Sequence, residues 1–159
     1  MTRSAGILVS LCAVASLGAL GAPANHGDIN AIQCGSGPAF TSAISAEAQA
    51  GTYTNTVVVV DSNANSLYHN ASGICSGSWQ SINGVYTQTG SCDYVDIDGD
   101  HWFGVYTGDA TGGDFKVHAG TGKYVGLEQT GHFTPLGPYF QVPNEFRSCV
   151  TFKGHWKFK

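Results

Sequence analysis

Apolar and polar residues alternate along several segments of the chain, and this alternation predicts β-strands with one buried face. The C-terminal segment shows it most clearly, with apolar positions Val150, Phe152, Trp156 and Phe158 and polar positions Thr151, Lys153, His155 and Lys157. Because successive side chains of a strand point to opposite faces, we expect these apolar residues to point inward. The same alternation places Phe115 and Val117 inward, and a β-branched run at residues 52–60 predicts another strand.

A hairpin is predicted at Asn83-Gly84. Asn-Gly is the strongest two-residue hairpin signal, since both residues of the turn need a positive φ. Counting outward from the turn places Cys75 directly opposite Cys92 at a close, non-hydrogen-bonded position, where a disulfide needs little backbone movement. The face that carries both cysteines is heavy and apolar and the other face is polar, as in a half-buried hairpin.

A second two-residue turn is predicted at Asp98-Gly99, which would extend the hairpin into a three-stranded meander. Its register would place Tyr94 opposite Phe103. The inward positions of the meander would then be Cys75, Trp79, Tyr86, Cys92, Tyr94, Phe103 and Val105. Val95 and Trp102 would lie on the outer face.

The remaining segments contain turn residues and one weak helix signal. Residues 43–50 are predicted as a short helix that Gly51 ends, and residues 135–143 are predicted as a loop. Many short strands separated by turn residues are typical of a β-sandwich or a β-barrel. The pattern therefore predicts an all-β fold.

The first 24 residues have the features of a secretory signal peptide. Arg3 supplies a positive start, residues 7–20 are small and apolar, and Ala22-Pro23-Ala24 fits the cleavage site. Removal of residues 1–24 would leave residues 25–159 as a single domain. The expected location is outside the cytoplasm, secreted or periplasmic, and no other segment is apolar enough to cross a bilayer.

Four cysteines remain after residue 24, and an even number in an exported chain indicates two disulfides. The hairpin register selects the pair Cys75–Cys92. By elimination Cys34 pairs with Cys149, which would tie the first part of the domain to its last strand.

Charge is unevenly divided along the chain. Residues 25–115 contain nine acidic residues and no Lys or Arg, whereas residues 116–159 contain six basic residues and two acidic ones. We expect the two halves to lie side by side in one domain, so that their fields partly cancel. The basic residues alternate along strands without exposed aromatic residues between them, so a nucleic-acid partner is not expected.

Two glycine- and aspartate-rich motifs invite ligand-site interpretations that their spacing does not support. Gly120-Thr121-Gly122-Lys123 lacks the first glycine and the final Ser or Thr of a phosphate-binding loop. The acidic run from Asp96 to Asp100 lacks the later glutamate of an EF-hand calcium loop, so a turn is the expected structure. A weak calcium site at residues 93–100 stays open.

No other motif predicts a metal or a cofactor. The six histidines have no spacing typical of metal ligands, and no Gly-x-Ser-x-Gly nucleophile motif is present. We therefore expect no cofactor. Asn70-Ala71-Ser72 is a glycan acceptor only in a host that glycosylates.

With the strands placed, the second half of the chain resembles the allene oxide cyclase-like barrels, a group related to the dirigent proteins. The residues that carry the resemblance are Asp96, Asp98, Gly99, Asp100, Phe103, Gly120, Thr121, Gly122, Lys123, Tyr124, Gly126, Leu127, Gly131, Phe133 and the strand from Cys149 onward. The resemblance implies a closed antiparallel barrel of about eight strands with a small apolar cavity. Plant enzymes of this type cyclise an oxidised fatty acid, and dirigent proteins steer the coupling of phenolic radicals. The catalytic positions of the plant enzymes have no assignable equivalents here.

These observations favour an exported, disulfide-linked barrel that binds a small apolar molecule in its interior. An isomerase or cyclase that acts by confinement is the first alternative, so enzymatic activity stays open. In that case Glu128, beside the glycine motif, is the carboxylate to inspect, because burial would raise its pKa. The second alternative is an extracellular interaction protein that uses the barrel exterior, including a homo-oligomer formed through the face with Trp102.

Overall fold

The computed structural model describes residues 25–61, 63, 66–67, 70–137, 140–142 and 144–159. The predicted signal peptide, residues 1–24, lies outside the described residues. The strands are β1 (His26–Ala43), β2 (Ala48–Val60), β3 (Ala71–Ile82), β4 (Val85–Val95), β5 (His101–Asp109), β6 (Gly113–Gly120), β7 (Leu127–Pro135), β8 (Phe140–Val142) and β9 (Glu145–Phe158). Within the described part of the chain the helical structure is a single 3₁₀ turn, Gly122–Tyr124, and no helix is long and apolar enough to cross a membrane.

The strands form one closed antiparallel barrel. Strands β1 to β7 pair in sequence, β7 pairs with β9, and β9 pairs back with β1 over the range from His26–Lys157 to Pro38–Glu145. The short strand β8 extends the sheet beside the first residues of β9, within the segment 135–143 that was predicted to be a loop. The prediction of an all-β, eight-stranded closed barrel is thus confirmed. The prediction that residues 135–143 are entirely a loop was wrong, because they include β8.

The first hairpin has the predicted turn and the predicted disulfides. Asn83 and Gly84 have φ values of 51° and 79°, as the turn requires, and Cys75 lies opposite Cys92. Both disulfides are present, Cys75–Cys92 between β3 and β4 and Cys34–Cys149 between β1 and β9. The first points into the barrel and the second lies on its outer surface.

The second hairpin is shifted by one residue from the prediction. Tyr94 pairs with Trp102, not with Phe103, because residues 96–100 form a five-residue loop instead of a two-residue turn. The carboxylate of Asp96 accepts the backbone N–H groups of Asp98 and Asp100, at 2.9 and 3.1 Å, and this holds the longer loop together.

The shift exchanges the two faces of β5, because side chains alternate along a strand. Trp102 is buried at 1% exposure, and Phe103 is on the outer surface at 41%. Val105 likewise faces outward, opposite Ser91 and Lys116. The predicted outer position of Trp102 and the inner positions of Phe103 and Val105 were therefore wrong.

The predicted helix at residues 43–50 is also wrong. Strand β1 continues to Ala43, residues 44–47 form a loop, and β2 begins at Ala48. Thr41 pairs with Gly51, and the N–H of Asn83 donates to the carbonyl of Glu47 at 2.7 Å. Eight residues are too few for a stable isolated helix, so strand pairing determines the local structure.

The barrel interior has two unlike halves. The packed half lies toward the β2–β3, β4–β5 and β6–β7 connections, and its inner side chains include Ile29, Val59, Tyr94, Trp102, Tyr124 and Leu127, all 4% exposed or less. The hollow half lies toward the β1–β2, β3–β4 and β5–β6 connections. As predicted, Phe115, Val117 and Phe152 are buried inside, and Trp156 and Phe158 are half-buried against the same core.

Candidate functional site

A cavity of about 60 Å³ extends from the middle of the barrel into the hollow half. Its wall is largely apolar and aromatic. The apolar lining residues are Val57, the Cys75–Cys92 pair, Phe115, Val117, Phe133, Phe146, Val150 and Phe152, and the polar ones are Gln33, Tyr53, Asn55, Gln88, Tyr94, Tyr106 and Ser148. An apolar cavity with a few convergent polar groups is the usual form of a small-molecule site.

Two facing glycines make room for the polar side of the cavity. Gly77 on β3 pairs with Gly90 on β4, and both are inward positions. A Cβ at Gly77 would lie 2.6 Å from the Tyr106 hydroxyl, and a Cβ at Gly90 would overlap the same hydroxyl. The two tyrosines Tyr53 and Tyr106 therefore reach across the barrel only because these positions have no side chain.

The hydroxyls above this glycine pair form a hydrogen-bonded cluster. The hydroxyls of Tyr53 and Tyr106 are 2.5 Å apart, and Tyr53 also donates to Oε1 of Gln88 at 3.3 Å. The ring of Tyr53 stacks on Phe146 with centroids 4.5 Å apart. The cluster gives the cavity a polar end that is held in place by aromatic packing.

Two amides in the cavity wall differ in their bonding. Oε1 of Gln33 accepts the Tyr94 hydroxyl at 2.7 Å, and Nε2 of Gln33 lies 3.8 Å from Sγ of Cys75. Asn55, which is only 3% exposed, has no hydrogen-bond partner for its Oδ1 atom. A buried polar atom without a partner is uncommon and destabilising, so Asn55 needs an explanation beyond the fold.

The cavity wall includes no Asp, Glu, His, Lys or Arg among the described residues. Glu128 is on the barrel exterior, where Lys159 and Lys157 lie 2.8 and 3.1 Å from its carboxylate. Hydrogen bonds from Lys159 and then Lys157 hold the pKa of Glu128 below its ordinary value. Glu128 is thus an ionised surface carboxylate and does not face the cavity.

The acidic and glycine motifs meet at the far end of the packed half, where they form a structure that we name the acidic latch: Asp96, Asp98, Asp100, Lys123 and Tyr124. The buried carboxylate of Asp96 accepts the Tyr124 hydroxyl at 2.8 Å and lies 2.7 Å from Nζ of Lys123. Nζ of Lys123 also lies 2.5 Å from Asp98, and Asp100 accepts the N–H of Lys123 at 3.2 Å.

The contacts within the acidic latch shift the pKa values of Asp96 and Lys123 so that both side chains stay charged. Burial by itself would raise the pKa of Asp96, but hydrogen bonds from Lys123, Tyr124 and two backbone amides outweigh it and lower the pKa to about 2. The same contacts raise the pKa of Lys123 to about 12. The ammonium of Lys123 thus occupies the centre of the acidic turn, where the sequence left a weak calcium site open. No group of three or more His, Cys, Asp or Glu suited to a metal is found among the described residues.

Of the motif glycines, Gly122 contacts this latch directly, and none is among the residues that line the cavity. Gly122 and Gly126 have φ values of 47° and 82°, and a Cβ at Gly122 would overlap the carboxylate of Asp100. Gly120 ends β6 and Thr121 follows it, with the Thr121 hydroxyl accepting the N–H of His101 at 2.9 Å. Gly131 is an inward position where a Cβ would meet Phe115.

Sequence reasoning missed the polar residues of the cavity. Tyr53 and Asn55 alternate with three threonines in the β-branched run, and a polar Asn at an inward strand position was the available signal. Gln33 and Gln88 also occupy inward positions. The predicted disulfide Cys75–Cys92 forms part of the cavity wall, whereas Cys34–Cys149 does not contact it.

Comparisons with known proteins support the fold alone. No family model matches the chain, and no curated protein is similar in sequence. The barrel is similar to the structure of the pterocarpan synthase dirigent protein GePTS1, with a TM-score of 0.52 over 95% of this chain and 98% of that chain, at 9% sequence identity. The chain therefore has a dirigent-like barrel fold, as the glycine and aspartate motifs predicted.

Proposed function

We propose that this protein is exported after removal of residues 1–24 and that the domain at residues 25–159, secreted or periplasmic, binds a small molecule inside its barrel. The ligand is mostly apolar and carries one hydrogen-bond donor, a hydroxyl or N–H group. The two disulfides and the dirigent-like fold support an oxidising location.

The observation that carries this proposal is the unpartnered Oδ1 atom of Asn55 in the cavity wall. Leaving a buried polar group unpaired costs about 1–3 kcal/mol, and a ligand donor would remove that cost. Around Asn55 the wall is aromatic or aliphatic, which suits an apolar body.

The cavity volume limits the size of the ligand. A cavity of roughly 150 Å³ holds a benzene molecule, so about 60 Å³ suits a ligand of only a few heavy atoms without movement of the wall. A larger ligand needs rotation of lining aromatic side chains such as Phe133 or Phe146.

Binding is favoured over the alternative of an isomerase or cyclase because no charged side chain lies in the cavity wall of the described residues. The structurally similar protein is named a pterocarpan synthase. In this chain, however, no carboxylate, imidazole or amine of the described residues faces the cavity to move a proton. Only hydroxyls and amides are available for orientation.

The test uses matched probes that differ in one donor. Isopropanol and acetone have the same number of heavy atoms, and cyclohexanol and cyclohexanone form a larger pair. We expect ¹⁵N NMR titrations to show that the alcohols bind about 5- to 100-fold more tightly than the ketones, with shifts at the Asn55 side-chain amide. In Asn55→Leu this preference should disappear. Equal binding of alcohol and ketone, or a preference that survives in Asn55→Leu, would refute the proposal.

A second candidate, self-association, is favoured by an apolar patch on the outer faces of β1, β2 and β3. It contains Ile32, Val58, Val60 and Ile74, each at least 44% exposed, and Ile32 lies directly opposite Val60. Contiguous exposed apolar residues mark interfaces. Light scattering should then give a mass above one chain for the wild type and one chain for Val58→Lys, and monomer in both would exclude this candidate.

A further inference from the structure

Most basic side chains of the domain lie on one face of the barrel. This basic face is formed by the outward positions of β6, β7 and β9, with the first residues of β1 and Lys159. Its charged and titratable members are His26, Asp28, Asp114, Lys116, His118, Glu128, His132, Lys153, His155, Lys157 and Lys159. The outward positions of β2 and β3, by contrast, carry no charged residue.

Strand pairing brings these residues side by side. Lys116 on β6 lies opposite Thr130 on β7, which lies opposite His155 on β9. Two adjoining depressions, of about 740 and 690 Å³, share these three residues. They form one continuous shallow groove across the strands.

The cations of the groove fall into two groups. Some are paired with carboxylates: His155 with Asp28 at 2.7 Å, His132 with Asp114 at 3.0 Å, and both Lys157 and Lys159 with Glu128. Lys116, Lys153 and His118 are exposed, and none of them has an ion pair within the described part of the chain. By strand spacing, Lys116 and Lys153 lie roughly 10–12 Å apart.

We propose that the basic face binds an acidic polysaccharide, a polymer with one carboxylate on each sugar. Its carboxylates would pair with Lys116, Lys153 and His118, which have no carboxylate partner of their own within the described part of the chain. The pairs His155–Asp28 and Lys157–Glu128, at 2.7 and 3.1 Å, show that other imidazole and ammonium groups of this face already bind a carboxylate. Sugar hydroxyls match the Thr130 hydroxyl and the imidazoles along the groove.

Two other anionic partners fit the face less well. A nucleic acid carries about one charge per 1.7 Å of duplex, so its phosphates would also lie against the three carboxylates of the groove. The outward positions of β6, β7 and β9 include no Phe, Tyr or Trp side chain for base stacking. They include no large apolar side chain that would enter a membrane interface either.

Binding should strengthen in mild acid. Imidazole is the side chain that ordinarily gains charge between pH 8 and 5, and the face carries His26, His118, His132 and His155. The groups facing them are Asp28 on β1, Asp109 at the end of β5, Asp114 and Lys116 on β6, Glu128 on β7, and Lys153, Lys157 and Lys159 on or after β9. A gain of protons by these imidazoles would make the face more positive.

The experiment measures binding of the full domain to polygalacturonate by biolayer interferometry at pH 5.5 and 7.5. We expect at least tenfold tighter binding at pH 5.5, weakened by added salt. The double variant Lys116→Gln, Lys153→Gln should bind polygalacturonate at least fivefold more weakly than the wild type. The control, Ser78→Asp with Gln80→Glu, makes the same change in net charge on the β3 exterior and should change binding less than twofold.

Every other outcome overturns the proposal. These outcomes are no binding at either pH, an equal loss in the control variant, and tighter binding to single-stranded DNA or to phosphatidylglycerol vesicles than to polygalacturonate. Neutral dextran should not bind. Because the cavity is untouched by these substitutions, the alcohol-over-ketone preference should persist in the Lys116→Gln, Lys153→Gln variant.

Discussion

The two halves of the barrel interior are built from the same alternation of inward and outward residues, yet they are filled differently: the hollow half combines a small buried cluster of Tyr53, Trp79 and Phe146 with a cavity. In the packed half, Trp102 lies between the rings of Tyr94 and Tyr124, with centroid distances of 5.3 and 4.6 Å. In the hollow half, Gly77 and Gly90 occupy the corresponding inward positions, and hydroxyls and amides face a cavity. The comparison teaches that the larger buried core lies in the packed half, and that the cavity in which we propose a ligand binds is bordered by the smaller cluster of the other half.

The largest expected effect is the difference in stability between variants of Trp102 and of its neighbour Phe103. Trp102→Ala removes the most buried aromatic side chain of the packed half, and a large-to-small core change of this kind costs about 3–5 kcal/mol. Phe103→Ala, one residue along on the outer surface, should cost less than about 1 kcal/mol. Urea denaturation of both variants measures the difference. Similar losses would mean that the one-residue shift in the β4–β5 register is not present in solution.

The two disulfides should differ in how easily they are reduced. Cys34 and Cys149 are exposed, whereas Cys75 and Cys92 are 4% and 5% exposed. Under dithiothreitol without denaturant, mass spectrometry after alkylation should find Cys34 and Cys149 modified first. Loss of either disulfide should cost about 2–4 kcal/mol. Modification of all four cysteines at one rate would show that the barrel opens before either disulfide reacts.

These contrasts also show which parts of the structure could be predicted from the local sequence. The Asn83-Gly84 turn has a single favoured geometry, so its register and the Cys75–Cys92 pair were predictable from two residues. The loop at residues 96–100 instead depends on the Asp96 carboxylate, whose partner Tyr124 is 28 residues away. No local rule for Asp-Gly turns includes that contact. The predicted inward and outward faces of β5 were therefore the reverse of those in the structure.

The cavity was harder to predict for a related reason. Inward Tyr53 and Asn55 are visible in the sequence of β2, but a polar inward residue has meaning only when its surroundings are known. The space beside Asn55 depends on Gly77 and Gly90 from two other strands and on closure of the barrel. A small-molecule cavity could therefore be expected from the family resemblance, while its residues could not.

Acid should weaken the packed half through the acidic latch. The folded pKa of Asp96 is about 2, below its ordinary value of 3.8, so its contribution is complete above pH 4 and is lost as pH falls from 4 to 2. We expect Asp96→Asn to be about 1–2 kcal/mol less stable than the wild type at pH 6, allowing for screening at the half-exposed Lys123. The two free energies of unfolding should converge by pH 2. A difference that is constant from pH 6 to pH 2 would mean that ionisation of Asp96 does not stabilise the fold.

Two of the amides in the cavity wall, Gln33 and Asn55, should respond to substitution in opposite ways. Gln33→Leu leaves the Tyr94 hydroxyl without its 2.7 Å acceptor and should lower the free energy of unfolding by about 1–3 kcal/mol. Urea denaturation followed by circular dichroism measures this change in the free energy of unfolding. An unchanged midpoint would show that the Tyr94–Gln33 hydrogen bond contributes nothing to the fold.

The free energy of unfolding of Asn55→Leu without ligand tests the central claim most directly. If Asn55 serves binding and not folding, leucine removes a buried carbonyl oxygen that has no hydrogen-bond partner and fills part of the cavity. The account predicts a variant as stable as the wild type or more stable by about 1 kcal/mol. A loss of 1 kcal/mol or more, as expected for Gln33→Leu, would show that Asn55 supports the fold and would contradict the division between a packed half and a binding half.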